Sequence, residues 1–168
     1  MEFRYSFNSI VIVQWLAEHD EPTGKELEAF LLPLCREARI NLAFVSVKSA
    51  AEFRQALHLI VRDAVRLKAS PILHIETHGT PEGVCADTLE RVRWAELAPT
   101  LRALNRHSQM NLLVTMAACH GFNLIKTLPE AGEGYPVWGL IGPDEQVLPS
   151  DVRRGEDFRH SSPPCFAT

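Results

Sequence analysis

Short apolar runs alternate along the chain with longer stretches in which apolar residues recur every three or four positions. Each run is rich in β-branched or bulky residues and is bounded by polar or turn-forming residues, which is typical of a buried strand. Five strands are predicted on this basis, at Ser9–Trp15, Leu42–Val47, Pro71–Thr77, Asn111–Ala117 and Val137–Ile141.

The stretches between the first three runs have the periodicity of amphipathic helices. Thr23 is placed to cap the first helix, and Pro33 should kink or shorten it because proline lacks the backbone N–H that a helix interior needs. The second helix opens at Ser49, which forms a predicted capping box with Glu52.

Further helices are predicted around Trp94–Leu104 and over Phe122–Leu128, and the mixed sequence from His78 to about Arg91 predicts a loop on the substrate side. Alternation of strands and helices with short connections predicts the α/β class. We expect three layers, with a mostly parallel sheet of about five or six strands and helices on both faces.

The length of 168 residues favours a single folded domain, for which we predict residues 1–152. The remaining residues, 153–168, are polar and contain Ser161-Ser162-Pro163-Pro164, so they are expected to form a disordered tail.

Composition and charge exclude several classes of protein. The net charge is −4 and the basic residues are dispersed, so the sequence lacks the basic patch expected for nucleic-acid binding. No apolar segment reaches the roughly 20 residues of a membrane-spanning helix, and no signal peptide is recognised, so we expect a cytoplasmic protein with no membrane partner. The four cysteines show no Cys-x-x-Cys spacing, which argues against a zinc ribbon and predicts reduced thiols.

Two predicted strands end in a reactive side chain that is followed by glycine. His78 precedes Gly79, and Cys119 lies two residues before Gly121. Because the carboxyl ends of parallel strands meet in one crevice, we expect His78 and Cys119 to face each other there. An imidazole beside a thiol can hold the sulfur as a thiolate, so this pair predicts a nucleophilic site.

Two other interpretations of these residues stay open. Free cysteines are often inert core residues, so Cys119 could simply pack and His78 could simply be exposed. Residues two apart in a strand share a face, so His74, Glu76 and His78 could also form a metal site. For His74 we favour a hydrogen-bonded core histidine, with Glu76 paired with a neighbour or near the crevice, and we predict no metal and no cofactor.

The segments Ile-Leu-His-Ile-Glu-Thr-His-Gly at 72–79 and Val-Thr-Met-Ala-Ala-Cys-His-Gly at 114–121 resemble the paired signature of caspase-like cysteine peptidases of clan CD. The resemblance is closest to the bacterial CHAT-domain peptidases and covers about residues 9–152. His78 and Cys119 are 41 residues apart, near the roughly 50 expected for caspases, and Ala-Ala-Cys-His-Gly echoes their Gln-Ala-Cys-x-Gly.

The resemblance implies a cysteine endopeptidase that acts through an acyl-enzyme on a protein or peptide substrate. It makes Cys119 the nucleophile and His78 the residue that stabilises the thiolate or protonates the leaving amine. It assigns the oxyanion hole to the backbone N–H groups of Gly79 and Cys119. It requires no third carboxylate, and it makes Asp144 a candidate for lining the substrate pocket.

The sequence departs from the pattern of this family in three ways. Ala117 stands where relatives that cleave after Arg or Lys carry an acidic residue, so the substrate preference stays open. The family fold continues past the fifth strand with a helix and another strand, whereas this chain becomes polar. The adaptor or sensor domains common in the family are also missing, so we expect any regulation to come from a protein partner.

The alternative hypothesis is a catalytically inactive caspase-like scaffold or partner-binding domain.

Overall fold

A mostly parallel sheet forms the centre of the computed structural model, which describes residues 6–87, 89–126 and 134–146. Five parallel strands lie in the order β2-β1-β3-β6-β7, and the short antiparallel strands β4 and β5 continue from the end of β3. The strands are β1 (Ser9–Trp15), β2 (Asn41–Ser46), β3 (Pro71–Thr80), β4 (Gly83–Cys85), β5 (Val92–Arg93), β6 (Leu113–Ala117) and β7 (Gly139–Ile141). The helices are α1 (Thr23–Ala38), α2 (Ala50–Leu67), α3 (Trp94–His107) and α4 (Asn123–Lys126).

The α/β class with helices on both sides of a mostly parallel sheet is confirmed. The described sheet has seven strands rather than five or six. The prediction of a loop from His78 to about Arg91 was wrong in part, because two short strands form in or next to this segment. There β3 runs on to Thr80 and turns back as β4, and β5 pairs with β4. The predicted tail at 153–168, the boundary at 152 and Cys165 lie outside the described residues.

Helix α1 corrects two predictions. It runs without interruption from Thr23 to Ala38 and contains Pro33, so the proline does not shorten it. Its N-cap residue is Pro22, which makes no side-chain cap, and the Thr23 hydroxyl donates instead to Glu76 Oε1 at 2.7 Å. Thr23 therefore ties the start of α1 to the central strand β3.

One face of the sheet carries the apolar core. Leu73 and Ile75 of β3 are fully buried on this face, beneath α2 and α3. Trp15 of β1 stacks on Phe53 of α2 with ring centroids 5.2 Å apart. Burial of such side chains is worth about 1.5–3 kcal/mol each and is the main stabilising term of the fold.

The opposite face is covered at β1 and β2 by α1. Residues of β3 that point this way, His74 and Glu76, are polar and only partly buried. The alternation of side chains along β3 therefore separates a buried apolar face from a polar face. Among the described helices, none is both long enough and apolar enough to cross a membrane.

The cap of α2 gives a test of the fold. Ser49 Oγ accepts the N–H of Glu52 at 3.1 Å, and the Glu52 carboxylate accepts the N–H of Lys48 at 2.8 Å. Ser49→Ala should lower the free energy of unfolding by about 1 kcal/mol in urea titrations, because one helix donor loses its acceptor. Ser46→Ala, at an exposed strand position, is the control and should change it little; equal losses in both variants would contradict the cap.

Candidate active site

The ends of β3 and β6 meet at the carboxyl edge of the sheet. The parallel register pairs Glu76 with Ala117, and His78 and Cys119 are each two residues farther along their chains. Gly79 lies directly against Cys119, because a Cβ on this glycine would be 1.8 Å from the Cys119 carbonyl oxygen. Only glycine allows this approach of the two backbones.

Cys119 lies in a tight turn that follows β6. His120 has a φ of 56°, and the Gly121 N–H donates to the Ala118 carbonyl at 3.0 Å. The segment after β7 holds this turn, since the N–H groups of His120 and Phe122 donate to the carbonyls of Glu145 and Pro143 at 3.2 and 3.0 Å. The turn is thus fixed by backbone bonds from the three residues that follow the cysteine.

Cys119 is the most accessible of the three described cysteines, all of which are free thiols. Cys35 and Cys85 are buried, whereas Cys119 is partly exposed. Burial raises the pKa of Cys85, against the opposing charge of Arg91, so this thiol is disfavoured as a thiolate. Accessibility therefore favours Cys119 as the reactive sulfur.

His78 is bound to a carboxylate that the sequence analysis did not single out. Its Nε2 lies 2.8 Å from Oδ2 of Asp20, in the loop between β1 and α1, and the same oxygen accepts the Ala17 N–H at 2.8 Å. The His78 side chain is 52% exposed and that of Asp20 is 17% exposed. The imidazole is therefore open to solvent but anchored at one nitrogen.

Asp20 is held in its ionised form. Burial acts to raise its pKa, but the hydrogen bonds from His78 and the Ala17 N–H, with the nearby charges of His78 and His19, bring the pKa below its ordinary value. Because an ionised carboxylate only accepts hydrogen bonds, Nε2 of His78 carries the proton. Nδ1 is then the ring nitrogen that is not engaged by Asp20.

The polar face of β3 forms a second hydrogen-bonded group beneath the crevice. His74 Nδ1 lies 2.7 Å from Thr115 Oγ1, and its Nε2 lies 3.0 Å from Glu76 Oε2. Glu76 also accepts the Thr23 hydroxyl. This confirms the interpretation of His74 as a hydrogen-bonded histidine with Glu76 paired to neighbours.

The alternative metal site at His74, Glu76 and His78 is not formed as a cluster. His78 bonds Asp20, while His74 and Glu76 bond each other. Across the described parts of the chain, no group of three or more His, Cys, Asp or Glu side chains is arranged to hold a metal ion.

Asp144 lies beyond the end of β7, where its carboxylate pairs with Lys126 at the end of α4. This pair joins the segment after β7 to the helix that follows the Cys119 turn. The substrate-binding role predicted for Asp144 stays a prediction, as do the catalytic roles of His78 and Cys119 and the oxyanion hole at Gly79 and Cys119.

The contact between Gly79 and Cys119 predicts a large effect of a single methyl group. Gly79→Ala should lower the free energy of unfolding by about 2 kcal/mol or more, because the new Cβ would overlap backbone atoms that cannot rotate away. Gly139→Ala is the matched control, since its Cβ would meet only the Leu113 Cδ1 atom, at 3.1 Å. Similar urea midpoints for both variants would show that the two strand ends are not in contact.

The lowered pKa of Asp20 predicts a dependence of stability on pH. The ionised carboxylate stabilises the folded chain above the unfolded-state pKa of about 3.9, and this contribution is lost as pH falls through the lower folded-state value. Asp20→Asn should therefore destabilise the chain at pH 5, and its deficit relative to wild type should shrink toward pH 3. Urea titrations across this range measure the difference.

Glu18→Gln is the control for Asp20→Asn, because Glu18 is an exposed carboxylate of the same loop. A deficit for Asp20→Asn that stays constant from pH 5 to pH 3, or one matched by Glu18→Gln, would contradict the ionised Asp20–His78 pair.

Comparison with known proteins assigns no family. No model of a known protein family matches the chain, and no curated protein matches it significantly. The residues themselves are thus the basis for any functional conclusion.

Proposed function

We propose that the chain is a caspase-like cysteine endopeptidase, of the kind the sequence resembles, in which Cys119 is the nucleophile and His78 is its acid and base. The observation that carries this proposal is the contact of Gly79 with Cys119 at the ends of two neighbouring strands, together with the bond that anchors His78, the residue before Gly79, to Asp20. Nucleophile and base thus come from adjacent elements of one rigid sheet.

In the proposed reaction, Nδ1 of His78 takes the thiol proton of Cys119, and the thiolate attacks the carbonyl carbon of a peptide bond. A C–S bond forms, and the negative charge passes to the carbonyl oxygen. The N–H groups of Gly79 and Cys119 would stabilise this charge, and one such donor is typically worth about 3 kcal/mol. When the C–N bond breaks, the protonated imidazole gives its proton to the leaving amine.

Water completes the proposed cycle. His78 accepts a proton from a water molecule, whose oxygen attacks the carbonyl of the acyl-enzyme. The C–S bond then breaks, and His78 returns its proton to the sulfur, which releases the carboxyl product and restores the Cys119 thiol. This scheme needs no metal or cofactor.

Asp20 adds to this scheme a positioning residue that the family resemblance does not require. Its bond to Nε2 leaves Nδ1 as the nitrogen that takes the thiol proton in the proposed reaction, and its charge would stabilise the imidazolium that forms during attack. The carboxylate is itself fixed by the Ala17 N–H, so the imidazole is held at an exposed position without being buried.

The proposal extends to the setting of the activity. The substrate is a protein or peptide, the compartment is the cytoplasm, and a regulatory protein partner controls access to the site. A role as a bacterial stress or defence effector rests on analogy with the family that the sequence resembles.

A non-catalytic partner-binding domain is the second candidate. The observation that favours it is an open edge strand, β2, which pairs only with β1 within the described residues. Open edges are sites for strand addition by another chain. Reactivity of Cys119 discriminates between the two candidates.

The test is labelling by a peptide acyloxymethyl ketone, measured by intact-protein mass. Wild type should form one adduct, Cys119→Ser should form none, and His78→Gln should label about 100-fold more slowly because the thiol loses its base. Asp20→Asn should fall between wild type and His78→Gln, since the imidazole is kept and its anchor is lost.

Two control variants separate activation from general damage. His58→Gln removes an exposed histidine on α2, and Cys85→Ala removes a buried thiol, so both should label as wild type does. Equal rates for His78→Gln and wild type, or similar labelling of several cysteines, would exclude the dyad and leave the partner-binding candidate.

A further inference from the structure

Asn123, the first residue of α4, joins the chain that follows Cys119 to the chain that follows Gly79. Its Nδ2 donates to the Pro81 carbonyl at 3.2 Å. Pro81 lies two residues after Gly79, and Asn123 lies four residues after Cys119. The bond thus connects the two backbone segments that carry the proposed oxyanion donors.

The ladder between β3 and β6 ends before it reaches these donors. Its last register pair is Glu76 with Ala117, and from His78 onward β3 pairs with β4. Gly79 and Cys119 are in direct contact, but contact limits only how closely two backbones approach. The hydrogen bond of Asn123 also limits how far the two segments can separate beyond the end of the ladder.

The Pro81 carbonyl is a fixed point, because α3 holds the turn in which it lies. Trp94 is 1% exposed, and its Nε1 donates to the carbonyls of Thr80 and Pro81 at 3.1 and 3.2 Å. The Trp94 N–H donates to the Glu82 carbonyl at 3.1 Å, and the Thr80 hydroxyl accepts the Gly83 N–H at 3.2 Å. The turn after Gly79 is therefore tied to the core through a buried tryptophan.

The backbone of Asn123 is fixed relative to the turn that holds the cysteine. Its N–H donates to the His120 carbonyl at 2.9 Å, and Leu124, the next residue, is fully buried. The Asn123 side chain is only partly buried, so removal of its carboxamide leaves the apolar core intact. A short side chain with two torsions spans the distance from this backbone to Pro81.

We infer that Asn123 is a positioning residue of the proposed reaction, which holds the N–H groups of Gly79 and Cys119 at the separation that a developing oxyanion requires. This role rests on the proposed function, because it matters only when a carbonyl is attacked. It is indirect, since the carboxamide of Asn123 is directed to Pro81. Donors stabilise an oxyanion only when they are already aimed at the oxygen, so a shift of either turn weakens the effect of both.

Two reactions of Cys119 that differ in their need for an oxyanion hole supply the test. p-Nitrophenyl acetate is attacked at its carbonyl carbon: a C–S bond forms, charge passes to the carbonyl oxygen, and the C–O bond then breaks to release nitrophenolate. Iodoacetamide is attacked at a saturated carbon and loses iodide, so no oxyanion forms. Both reagents are small, so the comparison needs no knowledge of the peptide sequence that the site prefers.

Asn123→Leu and Asn123→Ser each remove the carboxamide from the full-length chain, one with an apolar side chain of similar size and one with a small polar side chain. In both variants acylation of Cys119 should slow about tenfold or more, because a displaced donor no longer meets the oxygen. Alkylation by iodoacetamide should stay within about twofold of wild type, since it depends on the thiolate alone. Nitrophenolate release and the mass of the peptide that contains Cys119 give the two rates.

Two further variants calibrate the comparison. Asn41→Leu removes an exposed carboxamide at the start of β2 and should change neither rate. His78→Gln removes the proposed base and should slow both reactions, because both need the thiolate. The pattern expected for Asn123, slow acylation with normal alkylation, therefore differs from loss of the base.

Three results would overturn the inference and leave the proposed function standing. They are acylation of both Asn123 variants at the wild-type rate, a loss in Asn123→Leu alone, which would assign the effect to side-chain bulk, and an equal loss of both rates, which would show general disturbance of the site. Failure of wild-type Cys119 to be acylated, with His78→Gln alkylated as fast as wild type, would instead overturn the proposed function and this role of Asn123 with it.

Discussion

The contact between Gly79 and the backbone of Cys119 is the constraint on which the candidate site depends. It requires that β3 and β6 be adjacent, parallel and in one register, because a shift of either strand would separate the two backbones or drive them into overlap. The core beneath Leu73 and Ile75 sets that register, since both are fully buried. Packing of the apolar face thus determines where His78 and Cys119 lie.

Contacts from the start of α1 complete this arrangement on the polar face. Asp20 binds His78 just before the helix, and Thr23 binds Glu76 in its first turn. Both contacts join the loop after β1 to the neighbouring strand β3. Asp20, which would position His78 in the proposed reaction, therefore also joins the loop before the first helix to the sheet.

The sequence predicted those features that depend on the period of apolar residues. It missed those that depend on contacts between residues far apart in the chain. Strand and helix order followed from periodicity, and the meeting of the ends of β3 and β6, where Gly79 contacts Cys119, followed from the geometry of parallel strands. Asp20 could not be distinguished from Glu18 and Glu21, which follow the same strand, because only the folded loop selects the carboxylate that reaches His78. From its neighbours in the sequence, Thr23 was predicted to cap a helix, whereas its hydroxyl bonds Glu76, which is 53 residues away. Pro33 does not shorten α1, which runs on to Ala38 although the proline lacks the N–H that a helix interior uses.

The strict alternation along β3 has a consequence for how this chain can change over generations. Substitutions at His74, Glu76 or His78 leave the buried face untouched, so new reactivity or new specificity can arise there without rebuilding the interior. A gain or loss of one residue within the strand has the opposite effect, since it would turn the histidines and the glutamate into the interior and expose Leu73 and Ile75 to water. Diversification of this strand should therefore proceed by point replacement and not by changes in its length.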